Sequence, residues 1–232
     1  MKTSAKLEVI TITALASLPF LAGAADLSQP STSSATNSAA VAELSPPRPS
    51  IWEDGIGSGF VSSAQNLTLE AGVGVGMSAF GSEQAHDLGL LSLSYGHMLG
   101  GLVGRDHWYR GNVEGRMELF GGMQYHPEVN TDGWLIGLTP HLRYNFATGT
   151  RWVPFFDLGA GVTAMGISRP DVSGTFEFNL QASTGVRYFL SDNLALTSDI
   201  RYVHFSCAGT HQPNLGINDV VFMFGVSWFF GK

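Results

Sequence analysis

Trp134-Leu-Ile-Gly-Leu-Thr-Pro-His-Leu-Arg-Tyr-Asn-Phe146 alternates in character along its whole length. On an extended strand, successive side chains face opposite sides. Trp134, Ile136, Leu138, Leu142, Tyr144 and Phe146 therefore point one way, and Thr139, His141, Arg143 and Asn145 the other. One face is apolar or aromatic, and the other carries charge. Such a strand belongs either to a soluble sheet, apolar face inward, or to the wall of a membrane barrel, apolar face outward.

The pattern repeats on both sides of this stretch. Upstream, Val113, Met117, Leu119, Met123 and Tyr125 alternate with Glu114, Arg116, Glu118 and Gln124. Leu67, Leu69, Ala71, Val73, Val75, Met77 and Ala79 form a first strand with a weak outer face, and residues 88–98 a second of less clear register. Downstream, Trp152, Phe156, Leu158, Ala160 and Val162 oppose Asp157. Phe176, Phe178, Leu180, Ala182, Val186 and Tyr188 oppose Glu177, Asn179, Gln181 and Arg187. In the seventh strand Leu194, Leu196, Ile200, Tyr202, His204 and Ser206 share a face, away from Asp199 and Arg201. In the eighth, Asn218 shares one with Val220, Phe222, Phe224, Val226 and Trp228.

Strands of about ten to fourteen residues suit a tilted bilayer crossing. Aromatic residues gather at strand ends (Trp134, Phe146, Trp152, Tyr188, Trp228, Phe230), as interfacial girdles do, and the charged faces suit a narrow lumen filled by side chains. The expected fold is all-β: an eight-stranded antiparallel up-and-down transmembrane β-barrel over residues 67–232. Connections at 147–150 and 191–193 are short and periplasmic in type, whereas 166–174 and 207–217 are longer and extracellular in type.

Composition agrees with this reading. Only 13% of the 232 residues are charged, yet no apolar run after the first 25 residues is long enough for a membrane helix. A net charge of −7 without a basic stripe excludes a nucleic-acid binder. The single cysteine, Cys207, forms no internal disulfide and offers no Cys-based metal site. Lys2 and Lys6, the apolar run 9–22 and Ala22-Gly-Ala24 read as a signal peptide over residues 1–24. Residues 25–66, rich in Ser, Ala and Pro in their first half, read as a disordered periplasmic leader, within which Ile51, Trp52 and Phe60 could alternatively anchor at an interface.

The chemistry gathers in Arg201-Tyr-Val-His-Phe-Ser-Cys-Ala-Gly-Thr-His-Gln-Pro-Asn-Leu-Gly-Ile-Asn218. A serine hydroxyl needs a base to become a nucleophile, and histidine is the usual one. His204 and Ser206 lie two apart on one strand face, with Cβ atoms about 7 Å apart. Asn218 is placed across the hairpin to orient the imidazole, although it supplies no charge; Asp219 has the charge but points to the lumen. Asn214 and the backbone N–H groups from Cys207 to Gly209 are candidate oxyanion donors. Polar groups on a lipid-facing wall are themselves a functional signal. His86, His97, His107, His126, His141 and His211 have no metal-ligand spacing, and neither metal nor cofactor is expected.

The run His204-Phe-Ser-Cys-Ala-Gly followed by Gln212-Pro-Asn-Leu-Gly-Ile-Asn218 resembles the signature of the PagL-type lipid A 3-O-deacylases. The likeness extends back through Tyr144-Asn-Phe and Val153-Pro-Phe-Phe-Asp-Leu-Gly-Ala-Gly-Val to residues 176–187. It implies an outer-membrane barrel that hydrolyses the 3-O-linked 3-hydroxyacyl chain of lipid A without metal. Lipopolysaccharide in the outer leaflet of a Gram-negative cell would be its partner. The resemblance casts His204 as base, Ser206 as nucleophile and Asn214 near the oxyanion. Two positions depart from the signature, which has an acid at Asn218 and an asparagine at Cys207. Outer-membrane phospholipase A is similar in using Ser, His and Asn on a barrel wall. An outer-membrane phospholipase and a non-catalytic structural or adhesion barrel are therefore the alternatives, and oligomeric state is open. Tyr202, Phe222 and, less well placed by alternation, Phe205 are expected to hold the acyl chains.

Overall fold

A computed structural model describes residues 50–83, 85–126, 133–167, 171–172 and 174–231. The expected signal peptide and the first part of the expected leader lie outside the described residues. Eight strands, β1 (Gln65–Gly76), β2 (Asp87–Met98), β3 (Gly111–His126), β4 (Trp134–Phe146), β5 (Trp152–Met165), β6 (Phe176–Ser191), β7 (Leu194–Ser206) and β8 (Ile217–Phe230), pair antiparallel in sequence order. β8 returns to β1, from Gln65 opposite Phe230 to Gly76 opposite Asp219, so the barrel is closed. Closure satisfies the backbone groups of the wall internally, as hydrocarbon surroundings demand. β4 has the bounds and the facing that its alternation predicts.

The apolar face is the outer one. Leu69, Val73, Leu91, Ile136, Leu142, Leu158, Leu180, Ile200, Phe222 and Phe224 are all exposed. A continuous apolar surface of this kind fits a lipid environment rather than water. The charged residues fill the lumen. Glu114 sits opposite Arg143, and Arg143 opposite Asp157, in the strand register. Asp157 receives Arg116 at 2.5 Å and Arg143 at 2.7 Å, and His141 bridges Asp157 and Glu118 at 2.8 and 3.1 Å. Arg201 reaches Glu118 at 2.7 Å, and Arg187 reaches Glu114 at 2.8 Å. The Arg143 guanidinium also stacks on the Phe155 ring at 3.6 Å. Each charge has left water, so its partners are obligatory: removing one strands the other.

Apolar layers lie inside the barrel above and below this network. One contains Leu88, Phe120, Leu135, Met165, Val203, Phe205, Ile217 and Met223. The other corrects the sequence reading. Ile51, Trp52, Phe60 and Ala64 are buried with Met98, Val153, Phe189, Ala195 and Phe229. Trp52 stacks on Phe60 at 4.0 Å, and Phe60 on Phe229 at 5.1 Å. Asn112 fixes the segment by accepting from Phe60 N at 3.1 Å and donating to Phe60 O at 2.8 Å. Residues 51–66 are thus a stopper that leads into β1, where a disordered leader was expected. Its aromatic rings find partners on strands remote in sequence, and their burial offsets the ordering entropy.

β1 also stops at Gly76, short of the Ala79 suggested by alternation. Ala79 O instead accepts from Ser82 N at 3.0 Å, closing a turn whose central residues Phe80 and Gly81 have φ of 53° and 99°. Positive φ at both positions is the pattern of a type I′ turn. This turn, the described residues 166–167, 171–172 and 174–175, and the connection 207–216 lie at one mouth of the barrel; 99–110, 147–151 and 192–193 lie at the stoppered end.

Candidate active site

Tyr202, His204 and Ser206 face outward near the end of β7, each partly exposed, while the intervening Val203 and Phe205 are buried inside. His204 is opposite Asn218 in the β7–β8 register. Asn218 is itself 1% exposed, because the residue 77–82 connection crosses it. Asp219, the next residue, is buried on the lumen side.

The hydrogen bonds of Asn218 determine the state of the histidine. Its Nδ2 lies 2.9 Å from Ala79 O, and its Oδ1 lies 2.6 Å from the Tyr202 hydroxyl and 2.8 Å from His204 Nδ1. A main-chain carbonyl only accepts, so the amide nitrogen must face Ala79 and the amide oxygen must face the ring. Oδ1 in turn only accepts, so His204 Nδ1 carries the proton. A neutral imidazole protonated there presents an unprotonated Nε2, the form a general base needs.

Gly216 closes another side of the ring. Its φ is 81°, and a Cβ on it would lie 2.7 Å from His204 Cε1. Backbone conformation and space both require glycine here. Ser206 is half-buried on the same face, and among the described residues no hydrogen bond joins it to His204. Such contacts are often long until substrate is bound.

The candidate oxyanion donors separate. Cys207 N donates to Asn214 Oδ1 at 2.9 Å, so that N–H is taken, and the expectation that it faces an oxyanion is corrected. The same bond leaves the Asn214 amide hydrogens on the donor side of the group. The Cys207 thiol is buried against His211, 3.4 Å from both its N and its O. Gly209, with φ of 80°, sits in an exposed turn closed by Thr210 N and Cys207 O at 3.1 Å. Among the described residues no group of His, Cys, Asp and Glu is arranged to hold a metal ion.

Outside the barrel, a hollow of about 400 Å³ lies between Phe80, Leu180, Tyr202 and His204. Leu180 and Tyr202 also border a groove of about 710 Å³ that runs over Ala182, Ala160, Leu158 and Leu142. An apolar track therefore leads away from the histidine along the wall. Tyr202 lines it as expected. Phe222 faces lipid without lining it, and Phe205, fully buried in the lumen layer, is corrected as an acyl contact. Phe80, 83% exposed, escaped the sequence reading, as did the bond from the Tyr202 hydroxyl to Asn218. A lone Phe-Gly in a polar connection was the available signal for Phe80; a backbone carbonyl such as Ala79 O leaves none.

A family model described as lipid A 3-O-deacylase (PagL) matches residues 90–227, more than half of the chain. Among solved structures, the chain is similar to the outer membrane enzyme PagL, with 20% identity over 69% of this chain and 97% of that one and a TM-score of 0.49. It is similar to Neisserial surface protein A, with 16% identity, 73% and 100% coverage and a TM-score of 0.55. It is also similar to the outer membrane protein OprG from Pseudomonas aeruginosa, with 15% identity, 77% and 100% coverage and a TM-score of 0.42. The likeness to Neisserial surface protein A is one of fold. A search of curated proteins finds no match.

Proposed function

Because the chain belongs to the PagL family of lipid A 3-O-deacylases, we propose that it is an outer-membrane serine esterase that removes the 3-O-linked 3-hydroxyacyl chain of lipid A. The observation that carries this reading is the Asn218 amide, pinned by Ala79 O so that His204 is held as the Nδ1–H tautomer.

His204 Nε2 takes the proton of Ser206 as Oγ attacks the ester carbonyl. The imidazolium that forms keeps its Nδ1–H on Asn218 Oδ1. The amide offers a dipole where an acid would offer a charge, and the second donor, the Tyr202 hydroxyl, polarises that oxygen further. Asn214 is the side chain available to donate to the tetrahedral oxyanion. As the intermediate collapses, His204 returns the proton to the departing sugar oxygen, leaving the acyl chain on Ser206. Water then enters with His204 again as base and releases the free 3-hydroxy acid. The chain lies meanwhile along the track bordered by Phe80, Leu180 and Tyr202. In this reading residues 1–24 direct export and are removed, and the site faces the outer leaflet, where lipopolysaccharide resides.

An amide in the third position is also the one feature that favours an outer-membrane phospholipase. Mass spectrometry of lipid A from an outer-membrane host expressing the chain, beside the same host expressing Ser206→Ala, decides between them. The expected result is loss of one 3-hydroxyacyl chain in the first host only. Unchanged lipid A in both, with heat-modifiable barrels in each membrane, overturns the proposal; calcium-dependent release of lysophospholipid would then establish the phospholipase.

A further inference from the structure

Two features hold the His204 imidazole, and one residue outside the triad grips both. Asp171, fully buried in the β5–β6 connection, accepts Glu83 N on Oδ1 at 2.7 Å and lies with Oδ2 2.9 Å from His86 Nε2 and 3.4 Å from Ser82 Oγ. These contacts fasten the far side of the turn whose first residue, Ala79, accepts from the Asn218 amide. The main-chain carbonyl of Asp171 accepts Leu215 N at 2.8 Å and Gly216 N at 3.2 Å. Gly216 is the residue that abuts the imidazole. The neighbouring Val172 forms a bridge with Asn214, so the same segment also reaches the oxyanion side chain.

Resting on the esterase reading above, we infer that Asp171 is a positioning residue: its carboxylate and its carbonyl tie the β1–β2 and β7–β8 connections together and so fix both the orienting amide and the packing of His204. The arrangement has a physical logic. An asparagine in the third position attracts the imidazolium less than an acid does, so the ring depends more on being held in one place. A buried carboxylate with several donors is a strong anchor, since its hydrogen bonds are charge-assisted and each donor would be orphaned by its loss. His86, which has no metal-ligand spacing in the sequence, is here the buried partner of that carboxylate, only 4% exposed.

The test compares full-length wild type, Asp171→Ala, Asp171→Asn, Gly216→Ala and the Asp171→Ala/Gly216→Ala double variant, all folded in detergent. The first readout is the side-chain ¹⁵N spectrum of histidine, with the His204 signals assigned by a His204→Gln variant. Wild type should show His204 protonated at Nδ1 only. Asp171→Ala should show averaging between tautomers while the barrel stays heat-modifiable. Asp171→Asn, which keeps an oxygen for Glu83 N but loses the charge and the acceptor facing Ser82 and His86, should fall between wild type and Asp171→Ala. The second readout is turnover of lipid A. Asp171→Ala should lower kcat by on the order of a hundredfold with KM within about twofold, as loss of alignment does. The double variant should be no slower than its slower parent, because both changes act on one ring. An unchanged His204 spectrum in folded Asp171→Ala, or losses that multiply in the double variant, overturns the inference. A wild type inert on lipid A but with the expected spectral change would remove the esterase reading and leave the positioning role standing.

Discussion

Asn218 Oδ1 accepts from His204 Nδ1 at 2.8 Å while its own amide nitrogen is bound elsewhere, on a carbonyl of a different connection. The asparagine is therefore not free to flip, and it selects a histidine tautomer as firmly as a carboxylate would. What it lacks is the charge that steadies the imidazolium once the proton has moved.

Replacement of Asn218 by Ala removes the tautomer selection and leaves Ala79 O with Ser82 N as its donor. Turnover of lipid A should fall by about 10²- to 10⁴-fold, in the range seen when a triad orienter is lost. KM should change little, because Asn218 is buried away from the track. Steady-state kinetics on detergent-dispersed lipid A separates the two parameters.

Tyr202→Phe keeps the ring that borders the track and deletes only the hydroxyl bound to Asn218 at 2.6 Å. A lost hydrogen bond of this kind is worth about 0.5–1.5 kcal/mol. The expected result is a fall in kcat of roughly three- to tenfold with unchanged KM. A larger rise in KM than fall in kcat would assign the hydroxyl to substrate binding instead.

Phe80 has φ of 53° and is 83% exposed, a bulky residue kept in a conformation that suits glycine. Phe80→Gly should leave the melting temperature equal to wild type or higher, since it relieves the backbone. It should lower kcat/KM for long-chain substrates by about tenfold and for short-chain esters much less, because the ring covers apolar surface that only a long chain reaches. Paired assays on esters of different acyl length, beside thermal melts, read both effects.

The barrel and its membrane-facing wall were legible because parity in β4 leaves little choice: a strand with Arg143 and Asn145 on one side and Leu142 and Tyr144 on the other sorts itself between lumen and lipid. The facing of His204 and Ser206 and the pairing of His204 with Asn218 were legible for the same reason, since strand parity and one hairpin fix them. Residues 51–66 were not. Glu53-Asp-Gly-Ile-Gly-Ser-Gly59 reads as linker, and the worth of Trp52 and Phe60 comes from Phe189 and Phe229, more than a hundred residues away. Ala79 and Gly216 were hidden because they act through a carbonyl and an absent side chain. Asp171 was hidden because its partners belong to other connections.

The lumen network gives a stability prediction independent of activity. Glu114 holds Arg187 by two bonds and receives amide donors from Asn66 and Asn145. Glu114→Leu leaves a buried guanidinium without its counter-charge and should destabilise the barrel by about 3–5 kcal/mol. The loss should appear as unfolding at lower urea concentration, followed by the gel shift of the heat-modifiable band.

The ring stack of Trp52, Phe60, Phe189 and Phe229, with the arginine–carboxylate lattice beyond it, has a consequence for the cell. A cylinder packed in this way is expected to carry no ionic current. A planar bilayer holding the protein should stay electrically silent, and bacteria making it should admit no more nitrocefin or large antibiotic than before. On the esterase reading, the surface chemistry of the envelope would change while its permeability barrier stays intact.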